Sequence, residues 1–198
     1  AAWAQLAIQG PLAEQILALT TSLPLASIRR FGFLVGEVAG ASGCVVSRTG
    51  YTGSAGFEIY LPAASATQVA RALLAAGKPH GLIPAGLGAR DSLRLEAGYP
   101  LYGHEISERI SPIQAGLGWT VKFTKAQFVG REALRRQAEG GPPSSVVMFS
   151  LADRPGAFAA GCRGEVAGPS SDGDDAKLAA QVLDIALTSR GEHQGVPI

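Results

Sequence analysis

Arg48-Thr-Gly-Tyr-Thr-Gly-Ser-Ala-Gly-Phe-Glu58, running on into Ile59-Tyr-Leu61, is the stretch from which the rest of the chain is best read. Phe57, Ile59 and Leu61 alternate with Glu58 and Tyr60, which is the period-2 pattern of a half-buried strand. Glu58 therefore points away from the face carrying Phe57 and Ile59. The glycines before it (Gly50, Gly53, Gly56) admit two readings. In one they supply positive φ to a hairpin and Glu58 is merely solvated. In the other they let backbone approach a ligand closely, with Glu58 beneath it on the strand. A carboxylate has two acceptor oxygens, matching two adjacent N–H donors in one plane. A pterin ring offers such a pair in its N3–H and 2-amino group; guanine and an arginine side chain do so too.

Upstream, residues 3–10 alternate as a strand, and Gly10-Pro11 starts a helix with Pro11 at its first position and Leu12, Ile16 and Leu19 as its buried stripe. Residues 33–38 and 43–49 read as two strands joined by a turn over Gly40-Ala-Ser-Gly43. Downstream, Ser65 and Gln68 fit a capping box; Val69, Leu73 and Leu74 form the stripe of the next helix, which Gly77 ends. Pro84 opens a further helix to about Ala97, with Gly98 as its left-handed cap. Arg90 sits in its glycine-rich first turn, where the helix dipole favours an anion or polar ring. Arg94 is read as structural, pairing with Asp91 or Glu96 or a neighbouring strand. Leu117, Trp119, Val121 and Phe123 alternate as a strand, Gly130 to Gln137 is a short helix, and Gly140 to Ser145 is a linker. Val146 to Leu151 is read as one more strand and Ala176 to Leu187 as a helix. Alternating strands and helices up to about residue 110 predict an α/β or α+β layer.

The 198 residues are enough for one good core or two small ones. With 17 basic and 16 acidic residues the net charge is +1, which supplies no long-range field for a nucleic acid or an anionic membrane. The cluster Arg131, Arg135 and Arg136 reads as a solvated helical face. Cys44 and Cys162 make no disulfide framework, and the absence of Asn removes any N-glycosylation sequon. No apolar run reaches the ~20 residues of a spanning helix. A cytoplasmic location without nucleic-acid or membrane partners is the expectation. His80, His104 and His193 lie far apart, zinc spacing is absent, and no phosphate-binding loop, dinucleotide fingerprint or nucleophile elbow occurs. Tyr51, Tyr99 and Tyr102 are candidates to stack on a ligand or simply to pack. An opening Ala-Ala-Trp directly before an apolar segment reads as a fragment or processed product.

The motifs Leu6-Ala-Ile-Gln-Gly-Pro11, Ser47-Arg-Thr-Gly-Tyr-Thr-Gly53 with Gly56-Phe-Glu58, and Gly86-Leu-Gly-Ala-Arg-Asp-Ser-Leu-Arg-Leu-Glu-Ala-Gly98 stand in series. Pro100-Leu-Tyr-Gly-His-Glu105, Pro112-Ile-Gln-Ala-Gly-Leu-Gly-Trp119 and Phe128-Val-Gly-Arg-Glu-Ala-Leu134 follow. In order and spacing they resemble the aminomethyltransferase (T-protein) of the glycine cleavage system over roughly residues 1–150. The resemblance implies an α+β folate-binding fold, a mixed sheet with helices, and the start of a small C-terminal β-barrel domain. It parcels the chain into 1–22 (end of the middle domain), 23–116 (second half of the folate-binding domain), 117–151 (start of the barrel) and 152–198 (a divergent or truncated tail). The implied reaction moves a one-carbon unit from aminomethyl-lipoyl H-protein to tetrahydrofolate with release of ammonia, and uses no metal. Glu58, Arg90 and Tyr51 are the implied folate-binding residues. The family's essential Asp falls in an upstream half outside this chain, so no residue here is expected to be catalytic. The alternatives are the folate-binding portion of a dimethylglycine or sarcosine dehydrogenase-like protein, and a non-catalytic folate-binding module.

Overall fold

A computed structural model describes residues 2–147, together with the backbone of 150–151 and 154–158. The helix expected over Ala176–Leu187, and Cys162, lie outside the described residues. The chain forms two compact units, residues 1–97 and 98–198.

The first unit is a four-stranded antiparallel sheet backed by helices, an α+β layer as expected. Its strands are β1 (Trp3–Gln9), β2 (Phe33–Val38), β3 (Ala41–Ser47) and β4 (Gly56–Pro62), in the spatial order β1-β4-β3-β2. Helix α1 (Ala13–Ala18) follows β1, while α2 (Ala66–Gly77) and α3 (Leu87–Glu96) follow β4. The alternation in β4 has the predicted consequence: Phe57, Ile59 and Leu61 are buried, and Glu58 and Tyr60 lie on the other face. The buried side is one cluster with Ile8, Cys44 and Val46 from the sheet, Ile16 and Leu17 from α1, and Val69 and Leu73 from α2. Cys44 is fully buried and its thiol is pushed up from its ordinary value by desolvation. Peptide mapping after iodoacetamide treatment is therefore expected to find Cys44 alkylated only once the protein is unfolded; labelling of Cys44 at the rate of a free thiol would show that this core opens.

Several local expectations shift. Helix α1 starts at Ala13, past a turn at Gly10–Leu12, so Pro11 precedes it. That later start turns Ala13, Ile16 and Leu17 toward the sheet and leaves Leu12 and Leu19 exposed. The β2–β3 hairpin closes two residues earlier than predicted. Ala39 (φ 50) and Gly40 (φ 81) are the two left-handed residues of a tight turn whose twist suits a hairpin. The extra residue this places in β3 is absorbed as a bulge, between the pairs Gly36–Cys44 and Val38–Ala41. The expected Ser65–Gln68 capping box does not form: a short 3₁₀ turn, Ala63–Ser65, leads into α2 and supplies the first turn instead. Gln68 Nε2 donates to the Ala39 carbonyl at 2.8 Å, bracing the hairpin. Gly77 keeps a right-handed φ, and the left-handed residue is Gly81, after a further 3₁₀ turn over Lys78–His80. Gly77 is needed for another reason, since a Cβ there would stand 2.4 Å from Leu82. Helix α3 begins three residues later than Pro84, at Leu87, and ends at the predicted Gly98 (φ 74).

In the second unit the strand expected over residues 117–123 is not formed. Gly118–Thr120 is a 3₁₀ turn, with Thr120 and Val121 N–H bonded to the Leu117 and Gly118 carbonyls at 2.9 and 3.0 Å. An alternating pattern needs a neighbouring ladder to become a strand, and none of the described residues pairs with this one; Trp119 is left 73% exposed. Helix α4 (Arg131–Gly140) is longer than predicted. Of its basic cluster, Arg135 and Arg136 are on a solvated face as expected, whereas Arg131 is half-buried, its Nη2 donating to the Phe123 carbonyl at 3.1 Å; Arg131 and Arg135 each lie 2.9 Å from Glu132. The loop after α4 is tied back through Gln114, whose Nε2 donates to Ser144 Oγ at 2.9 Å and whose carbonyl accepts from Val146 N at 2.7 Å. Of the strand expected at 146–151, Ser150–Leu151 forms β5, paired with β6 (Arg154–Phe158), and residues 146–147 belong to no strand.

Candidate functional site

Helices α1 and α2 cover one face of the sheet, while α3 contributes Leu87, Arg90 and Leu93 to a cavity shared with the other face. Trp3, Gln5, Ala7 and Gln9 of β1 share that other face with Glu58 and Tyr60 of β4. Along the β1 edge a cavity of about 690 Å³ runs from these polar groups to an apolar wall that includes Leu74, Ile83, Leu87 and Leu93. This lies within the ~300–1,000 Å³ of ordinary small-molecule sites. Glu58, Arg90 and Tyr51 all line it, so three residues separated by up to 39 positions meet at one place.

Glu58 is held from below and from the side. Gln5 Nε2 donates to Oε1 at 2.8 Å, and Thr49 Oγ1 donates to Oε2. Tyr60 OH reaches the same Oε2 at 3.5 Å. Desolvation, and then the Glu58 charge beside it, push the Tyr60 phenol up from its ordinary value, so at neutral pH it stays a donor. Each carboxylate oxygen carries two lone pairs: Gln5 takes one on Oε1 and leaves the other free, while Oε2 is met by Thr49 and, at 3.5 Å, by the Tyr60 hydroxyl, a long contact that a ligand donor would displace. The carboxylate is thus oriented before any ligand arrives.

The loop between β3 and β4 carries Tyr51. The Arg90 guanidinium carbon sits 4.3 Å from the centre of the Tyr51 ring, a cation–π stack joining the loop to the first turn of α3. Gln9, the last residue of β1, anchors the loop from the other side. Its Nε2 donates to the Thr49 and Phe57 carbonyls at 3.2 and 3.3 Å, and its Oε1 accepts from Thr52 Oγ1 at 3.2 Å.

Other members of the motifs serve the fold. Arg48 turns to the covered side, with Nη2 2.7 Å from Glu14 and 2.8 Å from the Leu25 carbonyl, and its guanidinium lies 4.8 Å from the centre of the Phe57 ring. Arg94 is buried and its Nε donates to Asp91 at 2.8 Å, the structural pairing the sequence predicts. Tyr99 and Tyr102 belong to the second unit. Sequence reasoning missed Gln5, Gln9 and Thr49. A polar residue alternating on a strand looks solvated until its neighbour across the sheet is known, although Gln9 beside Gly10-Pro11 lay within a quoted motif. Among the described residues no group of three or more His, Cys, Asp or Glu is placed to hold a metal ion, and no helix is long and apolar enough to cross a membrane.

An antiparallel α+β layer with an oriented carboxylate and a guanidinium–aromatic stack in one cleft is chemically suited to a flat molecule rich in hydrogen-bond donors. Residues 1–125 match the GCVT N-terminal domain, and the chain belongs to that family. It is 53% identical over 150 residues to an aminomethyltransferase of Desulforamulus reducens, covering 76% of this chain and 41% of that protein. It is 52% identical over 154 residues to an aminomethyltransferase of Moorella thermoacetica, covering 78% and 42%. Among solved structures, the glycine cleavage system aminomethyltransferase T of Bartonella henselae superposes with a TM-score of 0.63 at 38% identity, over 72% of this chain and 38% of that one. The chain therefore spans about two fifths of the length of the curated relatives it matches.

Proposed function

We propose that this chain carries the folate-holding part of an aminomethyltransferase of the glycine cleavage type. The observation that carries this reading is the Glu58 carboxylate, fixed by Gln5 and Thr49 in the same cavity as the Arg90–Tyr51 stack. The free direction on Oε1, and the one on Oε2 held only by the long Tyr60 contact, suit the N3–H and 2-amino group of a pterin, with Tyr51 and Arg90 bordering the ring. The names of the relatives favour a transferase over the dehydrogenase-type alternative.

In the proposed reaction, N5 and N10 of tetrahydrofolate each form a bond to the methylene carbon of the aminomethyl-lipoyl arm. The C–N and C–S bonds break, releasing ammonia and the dihydrolipoyl thiol, and the two protons lost from N5 and N10 end on these leaving groups. No net redox change occurs. The residues of this chain bind and orient, and holding N5 against the carbon removes much of the entropic barrier. The donor partner is the lipoyl-bearing H-protein, and the setting is the cytoplasm.

Titration of the chain with tetrahydrofolate tests the binding step. At ~100 times the dissociation constant the folded state is expected to gain about 2.7 kcal/mol, read as a rise in thermal midpoint. A midpoint that stays flat at saturating concentration removes the folate assignment. Transfer from aminomethyl-lipoyl H-protein then separates an enzyme from a binding module. Arg90→Met is expected to weaken tetrahydrofolate about 5- to 10-fold, since it removes a charge and its stack on Tyr51. Arg90→Lys restores the charge without the planar fork, so only partial recovery is expected; equal affinity for all three proteins removes Arg90 from the site.

A further inference from the structure

We infer that Gln9 is the positioning residue of this cleft: its side-chain amide sets the β3–β4 loop so that Tyr51 meets Arg90 and Thr49 meets Glu58. This rests on the folate reading above only for its effect on affinity; the effect on the loop stands by itself.

Gln9 lies opposite Gly56 in the β1–β4 ladder, and its side chain crosses the Glu58 face at the place where the loop leaves and rejoins the sheet. Both N–H donors of the amide are used, and its oxygen accepts one bond. One nitrogen binds the Thr49 carbonyl before Tyr51 and the Phe57 carbonyl after the loop, while the oxygen takes the Thr52 hydroxyl. Tyr51 is thus flanked on both sides by residues bonded to the same group. The Gly10 N–H adds a bond to the Ala55 carbonyl at 2.8 Å, so the end of β1 holds the loop at three points and the start of β4 at a fourth.

Gly50 in the loop and Gly56 at the start of β4 both face this side chain. A Cβ on Gly50 would stand 2.0 Å from Gln9 Oε1, and a Cβ on Gly56 would stand 2.5 Å from its Cδ and Nε2. Neither position has a positive φ, so neither glycine is demanded by backbone conformation. A methyl group at either would push the Gln9 amide aside and break the bonds it makes. Thr49, whose carbonyl Gln9 holds, also donates its hydroxyl to Glu58. One amide thereby orients both binding elements of the cleft.

The test replaces Gln9 with Met, which keeps length and volume but has no amide. Hydrogen exchange across residues 48–57 is expected to speed up about tenfold, from the loss of bonds worth roughly one decade together. The urea midpoint should fall by no more than that same decade, about 1.4 kcal/mol, and the near-ultraviolet dichroism of Tyr51, assigned with Tyr51→Phe, should fall. Tetrahydrofolate affinity should weaken about tenfold. In a double-mutant cycle, Gln9→Met and Tyr51→Leu should be markedly non-additive, because the first acts through the second. Gly50→Ala, which displaces the Gln9 side chain without removing it, is expected to reproduce the loop effect and serves as the second variant should Gln9→Met fold poorly. Unchanged loop exchange in both variants overturns the inference, as does strict additivity with Tyr51→Leu. If the wild-type chain binds no tetrahydrofolate, the folate reading fails, while loop exchange and the Tyr51 signal still decide the role of Gln9.

Discussion

Glu58→Ala is expected to weaken tetrahydrofolate binding by about 10²-fold, measured by isothermal titration or by loss of the ligand-induced thermal shift. The magnitude follows from hydrogen bonds to a charged group, each worth about 1.5–3 kcal/mol, with two donors of the pterin left facing an empty acceptor. Glu58→Gln separates binding from structure. The amide keeps the shape of the side chain and one acceptor for Gln5 or Thr49, so the sheet face stays in place. It also turns a donor toward the ligand's own donors. Affinity should therefore stay low in Glu58→Gln while the urea midpoint returns close to wild type. Full affinity in the glutamine variant would show that the carboxylate does not meet a paired donor, and the pterin assignment would fall with it.

Phe57→Ala is expected to cost about 3–5 kcal/mol of stability, seen as a lower urea midpoint at unchanged slope. Phe57 is 1% exposed and faces Ile8 across the ladder. The Arg48 guanidinium covers its ring at 4.8 Å. The large value is expected because sheet and helices meet at this residue and cannot collapse into the space without moving β1. Moving β1 also moves Gln5 and Gln9, so folate affinity should fall together with stability. A loss below about 1 kcal/mol would mean that the Phe57 side of the sheet is not a closed core.

Glu58 and Phe57 are neighbours in sequence and act on opposite faces, and that division was legible from alternation alone. Arg94 with Asp91 was equally legible, because a helical spacing of three brings them together whatever surrounds the helix. The stripe of α1 is legible only in part. Leu12 and Leu19 fit a helical period, but the turn at Gly10–Leu12 delays the helix and rotates another set inward. The Ser65–Gln68 pair shows the same limit: Gln68 has a better acceptor in the Ala39 carbonyl, on a turn 29 residues away. Residues 117–123 show it once more, since an alternating pattern does not say whether a partner strand is present.

The sequence by itself determined which residue types face which side of β4, where glycine loosens the chain, and the six motifs that mark the family. These depend on side-chain period and local sterics, which act over a few residues. Tertiary structure alone decided that Gln5 and Thr49 orient Glu58, that Arg90 stacks on Tyr51, and that Gln9 fills the space left by Gly50 and Gly56. Those contacts join positions 39 to 53 residues apart, apart from Thr49 with Glu58. For Gln5 and Gln9 the geometry follows from the antiparallel pairing of β1 with β4, a register that no local pattern in either strand contains.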